Sequence, residues 1–237
     1  MAERKISEGA GEVGILRHIA FIMDGNGRWA QRRGQVREFG HRAGVKALQR
    51  VAEHCKKRGI EVMTVYAFST ENWKRPKGEV DAILTLLERY LDDCIRDHEK
   101  NRSRVTFSGD ITAFSDGFRK KMETVREITK QYPITVNIAL NYGGRAELTE
   151  AFRKLSLAGK REITEDDITN ALYTAELPPV DMIVRTGGDL RLSNFLLWQA
   201  AYAELYFTDT LWPDMDDEAV DAAIDSFYSR KRRYGGI

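Results

Sequence analysis

The chain has 237 residues, 42% of them hydrophobic, which fits one large α/β domain or two small ones with a sizeable core. Its 37 basic and 36 acidic residues leave a net charge of +1, so no global field argues for a nucleic-acid partner, and no apolar run approaches the length of a membrane span. Only two cysteines occur, Cys55 and Cys94; they speak against a disulfide framework or a cysteine-based metal site and fit a reducing cytoplasm.

Met1 to Arg17 is charged and lacks the apolar segment of a signal peptide. It reads as a flexible tail ahead of a single domain over 18–237. Gly9 to Gly14 matches G-x-G-x-x-G, but it precedes the first strand instead of following one, so the dinucleotide reading lacks its context. Ile19 to Met23 is a short apolar run predicted to be a buried strand, with Asp24 at its end. Gly25 and Gly27 free the backbone to turn, and Arg28 and Trp29 lead into a polar, helical segment. The spacing predicts a helix over His41 to Arg58, stopped by Gly59, then a strand over Glu61 to Phe68. A polar turn, Ser69 to Pro76, leads to a long helix from Lys77 to Glu99. There Val80, Ile83, Leu84, Leu87, Tyr90, Leu91, Cys94 and Ile95 form one apolar stripe.

Further along, strands are predicted at Arg104 to Ser108, Ile134 to Leu140, Val180 to Val184 and Ala203 to Phe207. Helices are predicted at Phe114 to Gln131, Glu147 to Leu157, Glu165 to Tyr173 and Glu218 to Arg233. Regular alternation of this kind argues for one open, mostly parallel β-sheet flanked by helices. Ligands of such sheets bind beyond the carboxyl ends of the strands. Four strand ends carry polar, turn-forming sequence: Asp24-Gly-Asn-Gly-Arg, Ser69-Thr-Glu-Asn-Trp, Asn141-Tyr-Gly-Gly-Arg and Arg185-Thr-Gly-Gly-Asp. A rim with several arginines and a strand-end carboxylate suits a substrate with more than one phosphate and a divalent cation.

The loop after Asp24 fits no standard phosphate or calcium motif. A Walker loop needs Lys-Ser/Thr after its second glycine, and an EF-hand needs Gly at position six and Glu at twelve, where this chain has Trp29 and Gln35. An ordinary strand–turn–helix with a capping Asp stays open from this segment alone. Arg32, Arg33 and Arg42 read as a solvated helix face, and Asp92, Asp93 and Asp97 as a charged one. His18 and His54 read as structural, and Trp198, Tyr202 and Tyr206 as core or interface residues.

Taken together, H-I-A-F-I-M-D-G-N-G-R-W from His18, F-G-H-R-A-G, Y-A-F-S-T-E-N-W-K-R-P, N-Y-G-G-R, R-T-G-G-D-L-R-L-S-N-F-L-L-W-Q and Y-A-E-L-Y-F-T resemble the cis-prenyltransferases, the Z-type isoprenyl diphosphate synthases. The match runs from His18 to about Gly236. The resemblance implies a cytoplasmic homodimer that extends an allylic diphosphate, farnesyl diphosphate for instance, with isopentenyl diphosphate and Mg²⁺. The product would be a Z-polyprenyl diphosphate such as undecaprenyl diphosphate, a lipid-carrier precursor for cell-wall synthesis, released with peripheral membrane contact. It also implies an apolar tunnel between sheet and helices, lined in part by the Val80 to Ile95 stripe. Ala67 would stand at the tunnel mouth and Ile134 at its floor.

Carried over by residue, Asp24 is the catalytic carboxylate and a metal ligand, with Glu204 completing the metal site. Gly25, Asn26, Gly27 and Arg28 cradle the allylic diphosphate with Arg37 and His41, and Trp29 packs nearby. Ser69, Thr70, Glu71, Trp73 and Arg75 line the site, with Asn72 as proton acceptor. Arg185, Arg191, Leu192 and Ser193 hold the isopentenyl diphosphate, and Arg233-Tyr234-Gly235 reaches the neighbouring subunit. One departure is Leu190, where many bacterial members carry His. Two other readings use the same fold or anion site: a non-catalytic partner subunit, which the intact Asp24-to-Trp29 loop opposes, and a phosphohydrolase.

Overall fold

A computed structural model describes residues 14–230. Six parallel strands form one sheet in the order β3-β4-β2-β1-β5-β6. They are β1 (His18–Ile22), β2 (Val62–Ser69), β3 (Ser103–Ser108), β4 (Ile134–Tyr142), β5 (Met182–Arg185) and β6 (Glu204–Phe207). The helices are α1 (Asn26–Gln31), α2 (Arg37–Lys57), α3 (Lys77–Asn101), α4 (Asp116–Thr129), α5 (Gly144–Leu157), α6 (Glu165–Ala171) and α7 (Asp217–Ser229). The expected sheet is therefore present and wholly parallel among the described residues.

All five residues of β1 are buried, because helices cover both faces of the sheet. The main core joins Phe21, Val65, Phe68 and Ile138 to Leu48 and Val51 of α2, Ile83 and Leu91 of α3, and Ile224 and Phe227 of α7. A smaller core lies around Ala20, Ile22, Tyr142, Phe195 and Leu196. A buried polar row crosses four strands. His18 Nε2 meets Thr64 Oγ1 at 2.7 Å, Asn137 Nδ2 donates to Thr64 Oγ1 at 3.3 Å, and Ser108 Oγ donates to Asn137 Oδ1 at 3.1 Å. A one-residue slip would strand these groups among apolar side chains, so the row specifies register.

Several boundaries differ from expectation. Helix α2 starts at Arg37, four residues early, and α5 starts at Gly144, directly after β4. Leu16 is buried and Arg17 pairs with Glu61 at 2.8 Å, so the domain begins before His18. Helix α7 stops at Ser229, where Arg230 turns extended and pairs with Glu204 and Leu205. The Arg233-Tyr234-Gly235 motif lies outside the described residues.

Candidate active site

The carboxyl ends of β1, β2 and β5 surround a cavity of about 740 Å³. Asp24, two residues past β1, is its central charge. Gly25 N–H donates to Asp24 Oδ1 at 2.6 Å and Arg185 Nη2 donates to Oδ2 at 2.8 Å, while Arg28 Nη2 lies 3.2 Å from Oδ1. Burial disfavours the charged carboxylate, but the Arg185 hydrogen bond and charge, with Arg28 and the Gly25 amide, outweigh it and hold Asp24 below its usual range. Asp24 makes no side-chain cap on α1, so the simple capping reading fails. Gly25 itself caps α1 with φ +104°, and a Cβ there would meet Leu211 Cδ2 at 2.8 Å. Only glycine takes that turn without strain.

Arg185 is 4% exposed and organises the β5 side of the rim. Its Nη1 donates to Arg191 O at 2.5 Å and to Ser193 Oγ at 2.7 Å, and its Nη2 lies 3.4 Å from Asp189 Oδ2. Asp189 in turn binds the exposed Arg191 at 2.6 Å. Arg28 Nη1 donates to Gly187 O at 2.6 Å, a contact that a side chain at residue 187 would obstruct.

A cup of about 150 Å³ adjoins the cavity at the start of α1, bounded by Gly25, Gly27, Arg28, Arg37, His41 and Arg75. Glu79 stands behind it, 2.8 Å from Arg75, 3.5 Å from Arg37 and 3.8 Å from His41. Burial first, then the Arg75 charge, lowers the His41 pKa and favours the neutral ring. Three buried polar atoms around these spaces lack a hydrogen-bond partner: Asn26 Oδ1, His41 Nε2 and Arg185 Nε. Such atoms are costly unless a ligand or water satisfies them.

Below the charged rim an apolar slot runs between α2, α3 and the sheet, bounded by Val45, Leu48, Ile83, Leu87, Ile138 and Trp212. Met23, Asn26, His41, Ala67 and Ile83 border both slot and cavity. Ala67 falls where the β2–β4 register shifts between Tyr66 and Phe68, so an irregularity of the ladder puts a small side chain at the junction.

Most of the expected residues meet here: Asp24, Asn26, Arg28, His41, Ser69, Glu71, Asn72, Arg75, Arg185, Arg191 and Ser193 border the cavity, and Gly25, Gly27 and Arg37 the cup. Asn72 Oδ1 accepts the Ser69 N–H at 3.1 Å, closing a capping box on the turn after β2. Others face elsewhere. Trp29 stacks on Phe39, carries Arg33 over its ring and donates to Asp214 Oδ1 at 2.5 Å, outside the cavity. Trp73 donates to Asn141 Oδ1 at 2.8 Å and packs on Phe68 and Phe114. Thr70 lies against Gly143, and Leu192 packs on the smaller core.

Glu204 does not join Asp24 in the single chain. Strand register decides this: Glu204 pairs with Met182, whereas Phe207 pairs with Arg185 at the rim, three residues or roughly 10 Å further on. Arg230 holds the Glu204 carboxylate at 2.6 Å. Among the described residues no group of three or more His, Cys, Asp or Glu side chains could cage a metal. Asp24 and Asp189, converging on Arg185, do suit a magnesium ion that draws its other oxygens from phosphate and water.

Two residues beyond the sequence reading complete the rim. Asn194, at φ +66°, links three strand ends: its Nδ2 donates to Glu71 Oε1 at 2.9 Å, its Oδ1 accepts from Arg145 N at 2.9 Å, and its carbonyl accepts from Gly144 N at 2.7 Å. Burial opposes ionisation of Glu71, yet the Asn194 bond and local hydroxyls hold its pKa below the usual range. Glu79 is the second. Its only signal is its place four residues after Arg75 at a helix start.

The family model described as "Putative undecaprenyl diphosphate synthase" matches residues 22–235. The chain belongs to the cis-prenyltransferase family. It is 46% identical over 227 residues to an isoprenyl transferase of Fusobacterium nucleatum, covering 95% of this chain and 98% of that one. It is 44% identical over 229 residues to a Pasteurella multocida ditrans,polycis-undecaprenyl-diphosphate synthase described as (2E,6E)-farnesyl-diphosphate specific, covering 94% and 95%. Among solved structures, lavandulyl diphosphate synthase from Lavandula x intermedia, in complex with dimethylallyl diphosphate, superposes with a TM-score of 0.88 at 28% identity over 93% of this chain and 98% of that one. A probable undecaprenyl diphosphate synthase from Campylobacter jejuni gives 0.80 at 39% identity over 94% and 100%. As a cis-prenyltransferase the chain is an enzyme of prenyl diphosphate synthesis. None of its described helices is long and apolar enough to cross a membrane.

Proposed function

We propose that this cis-prenyltransferase extends an allylic diphosphate, farnesyl diphosphate by analogy with the Pasteurella relative's name, with isopentenyl diphosphate to give undecaprenyl diphosphate. The carrying observation is a cationic rim that opens directly onto an apolar slot through five shared residues. A diphosphate with a hydrocarbon tail needs both at once, because head and tail demand opposite solvation.

In this reading the cup formed by Gly25, Gly27, Arg28, Arg37 and Arg75 takes the allylic diphosphate, and its tail enters the slot. His41 stays neutral there and offers a ring nitrogen. Arg191 and Ser193, fixed by Arg185, take the isopentenyl diphosphate at the next strand end. A magnesium ion held by Asp24, with Asp189 beside it, would neutralise charge on phosphate oxygens. As the allylic C–O bond breaks, Arg28, Arg37 and Arg75 stabilise the negative charge gathering on the departing diphosphate. We read Asn72 as a positioning residue instead of a base. Its oxygen is engaged by Ser69 N–H, and a neutral amide holds a proton poorly. The proton lost from the isopentenyl carbon then passes to one of the ionised oxygens at the rim.

Homodimer formation and peripheral membrane contact for product release belong to the same proposal. The open edge of β6 and the 87% exposed Tyr202 beside it support the first. Two buried, unpaired thiols support a cytoplasmic setting. The test is incubation with farnesyl diphosphate, labelled isopentenyl diphosphate and Mg²⁺, followed by sizing of the product. Label in long-chain diphosphates is expected; release of inorganic phosphate without chain growth would favour a phosphohydrolase.

A further inference from the structure

A second cavity, of about 450 Å³, lies between α2, α3 and the amino ends of β3 and β4. It is separated from the apolar slot by one side chain that borders both, Tyr90. Three elements place the boundary at the same level. Along β4, Ile138 borders the slot and Val136, two residues back on the same face, borders the far cavity. Along α3, Leu86 and Leu87 border the slot and Asp93 and Cys94 the far cavity, with Tyr90 one turn from each. Along α2, Leu48 borders the slot and Gln49 and Ala52 the far cavity. Tyr90 is only 9% exposed, and its hydroxyl donates to the thiol of Cys94 one turn below, so the ring is held across the gap.

The chemistry also changes at this level. The slot walls are apolar, whereas the far cavity carries Glu53, Asp93, Asp97 and His98. We propose that Tyr90 is the residue that sets product length, a ring that stops the growing prenyl tail at the base of the slot and closes off the cavity beyond. The inference rests on the functional reading above. The ring blocks by volume, since a packed wall tolerates added methylenes poorly. Its hydroxyl serves to hold it in place.

The test compares the full-length enzyme with Tyr90→Leu, Tyr90→Phe and Tyr90→Leu combined with Cys94→Phe, reading both the first condensation and the final product size. Leucine opens the partition while leaving less of a void than alanine would. Tyr90→Leu should lengthen the longest product by at least one isoprene unit with the first condensation unchanged. Tyr90→Phe should keep the parental distribution. Adding Cys94→Phe, which fills the far cavity, should return the double variant to parental length. Chain growth by the parent with an unchanged distribution in Tyr90→Leu would overturn this inference alone. Loss of the first condensation in Tyr90→Leu but not in Tyr90→Phe would overturn it too, by making the ring a support of the rim. No incorporation by the parent would overturn the functional reading and this inference with it.

Discussion

Asp24 and Glu147 are both carboxylates placed just past a strand end, and they are held in opposite ways. Asp24 follows β1, faces the cavity and meets two guanidiniums, so it is kept ionised despite partial burial. Glu147 lies in the first turn of α5 and is 1% exposed. It accepts from Tyr142 Oη at 2.5 Å, Gln199 Nε2 at 3.0 Å and Tyr173 N at 3.0 Å. Those neutral donors do not offset burial, and its pKa is raised. A cation partner thus separates a carboxylate available for phosphate and metal chemistry from one that fastens a corner of the fold.

The largest effect that would break this contrast is at Asp24. Asp24→Asn keeps the shape that meets Gly25 and Arg185 but loses the charge, and turnover should fall on the order of 10²–10³-fold with the fold retained. Steady-state rates and circular dichroism on the same preparation check this; near-parental turnover would remove Asp24 from the chemistry. Next comes the separation of the two diphosphate positions. Arg191→Ala should raise KM for isopentenyl diphosphate about 10–100-fold, the equivalent of one charge-assisted hydrogen bond, and leave KM for the allylic primer nearly unchanged. Equal shifts in both would mean that cup and β5 rim form one site.

The pH dependence of stability sharpens the contrast, because the signs are opposite. Asp24 has a folded-state pKa below its ordinary 3.8, so its contribution is present above that value and lost as pH falls through the lowered one. Glu147 has one above its ordinary 4.5, so its contribution is present below that value and lost as pH rises through the raised one. Glu147→Gln removes the second loss. Its Tm should match the parent's near pH 4 and exceed it at pH 7–8, by about 2–4 °C for each kcal/mol recovered. Activity should not change. A constant Tm difference across pH would contradict the raised pKa. The smallest effect is expected at Trp29, whose ring faces away from the cavity. Trp29→Phe loses the bond to Asp214, about 0.5–1.5 kcal/mol of stability, and should leave both KM values within experimental scatter.

Periodicity and turn chemistry made the sheet, its helices and the four polar strand ends legible in the sequence. A buried parallel strand such as His18–Ile22 has no alternative to an unbroken apolar run, and a long helix on a core must carry a stripe like Val80 to Ile95. The motifs likewise named most of the residues that meet at the rim. What they could not supply is direction and level. Trp29 and Glu204 stand inside matching motifs, yet one turns outward against Phe39 and the other sits at the far end of its strand, because helix orientation and strand register are settled by packing among distant segments. Asn194 and Glu79 carry no sequence signature for linking three loops or backing three basic side chains, since those contacts exist only after the chain is folded. Tyr90 makes the same point inside the stripe: spacing marks it as one more core residue, and only the packing of α2, α3 and β4 makes it the wall between two cavities.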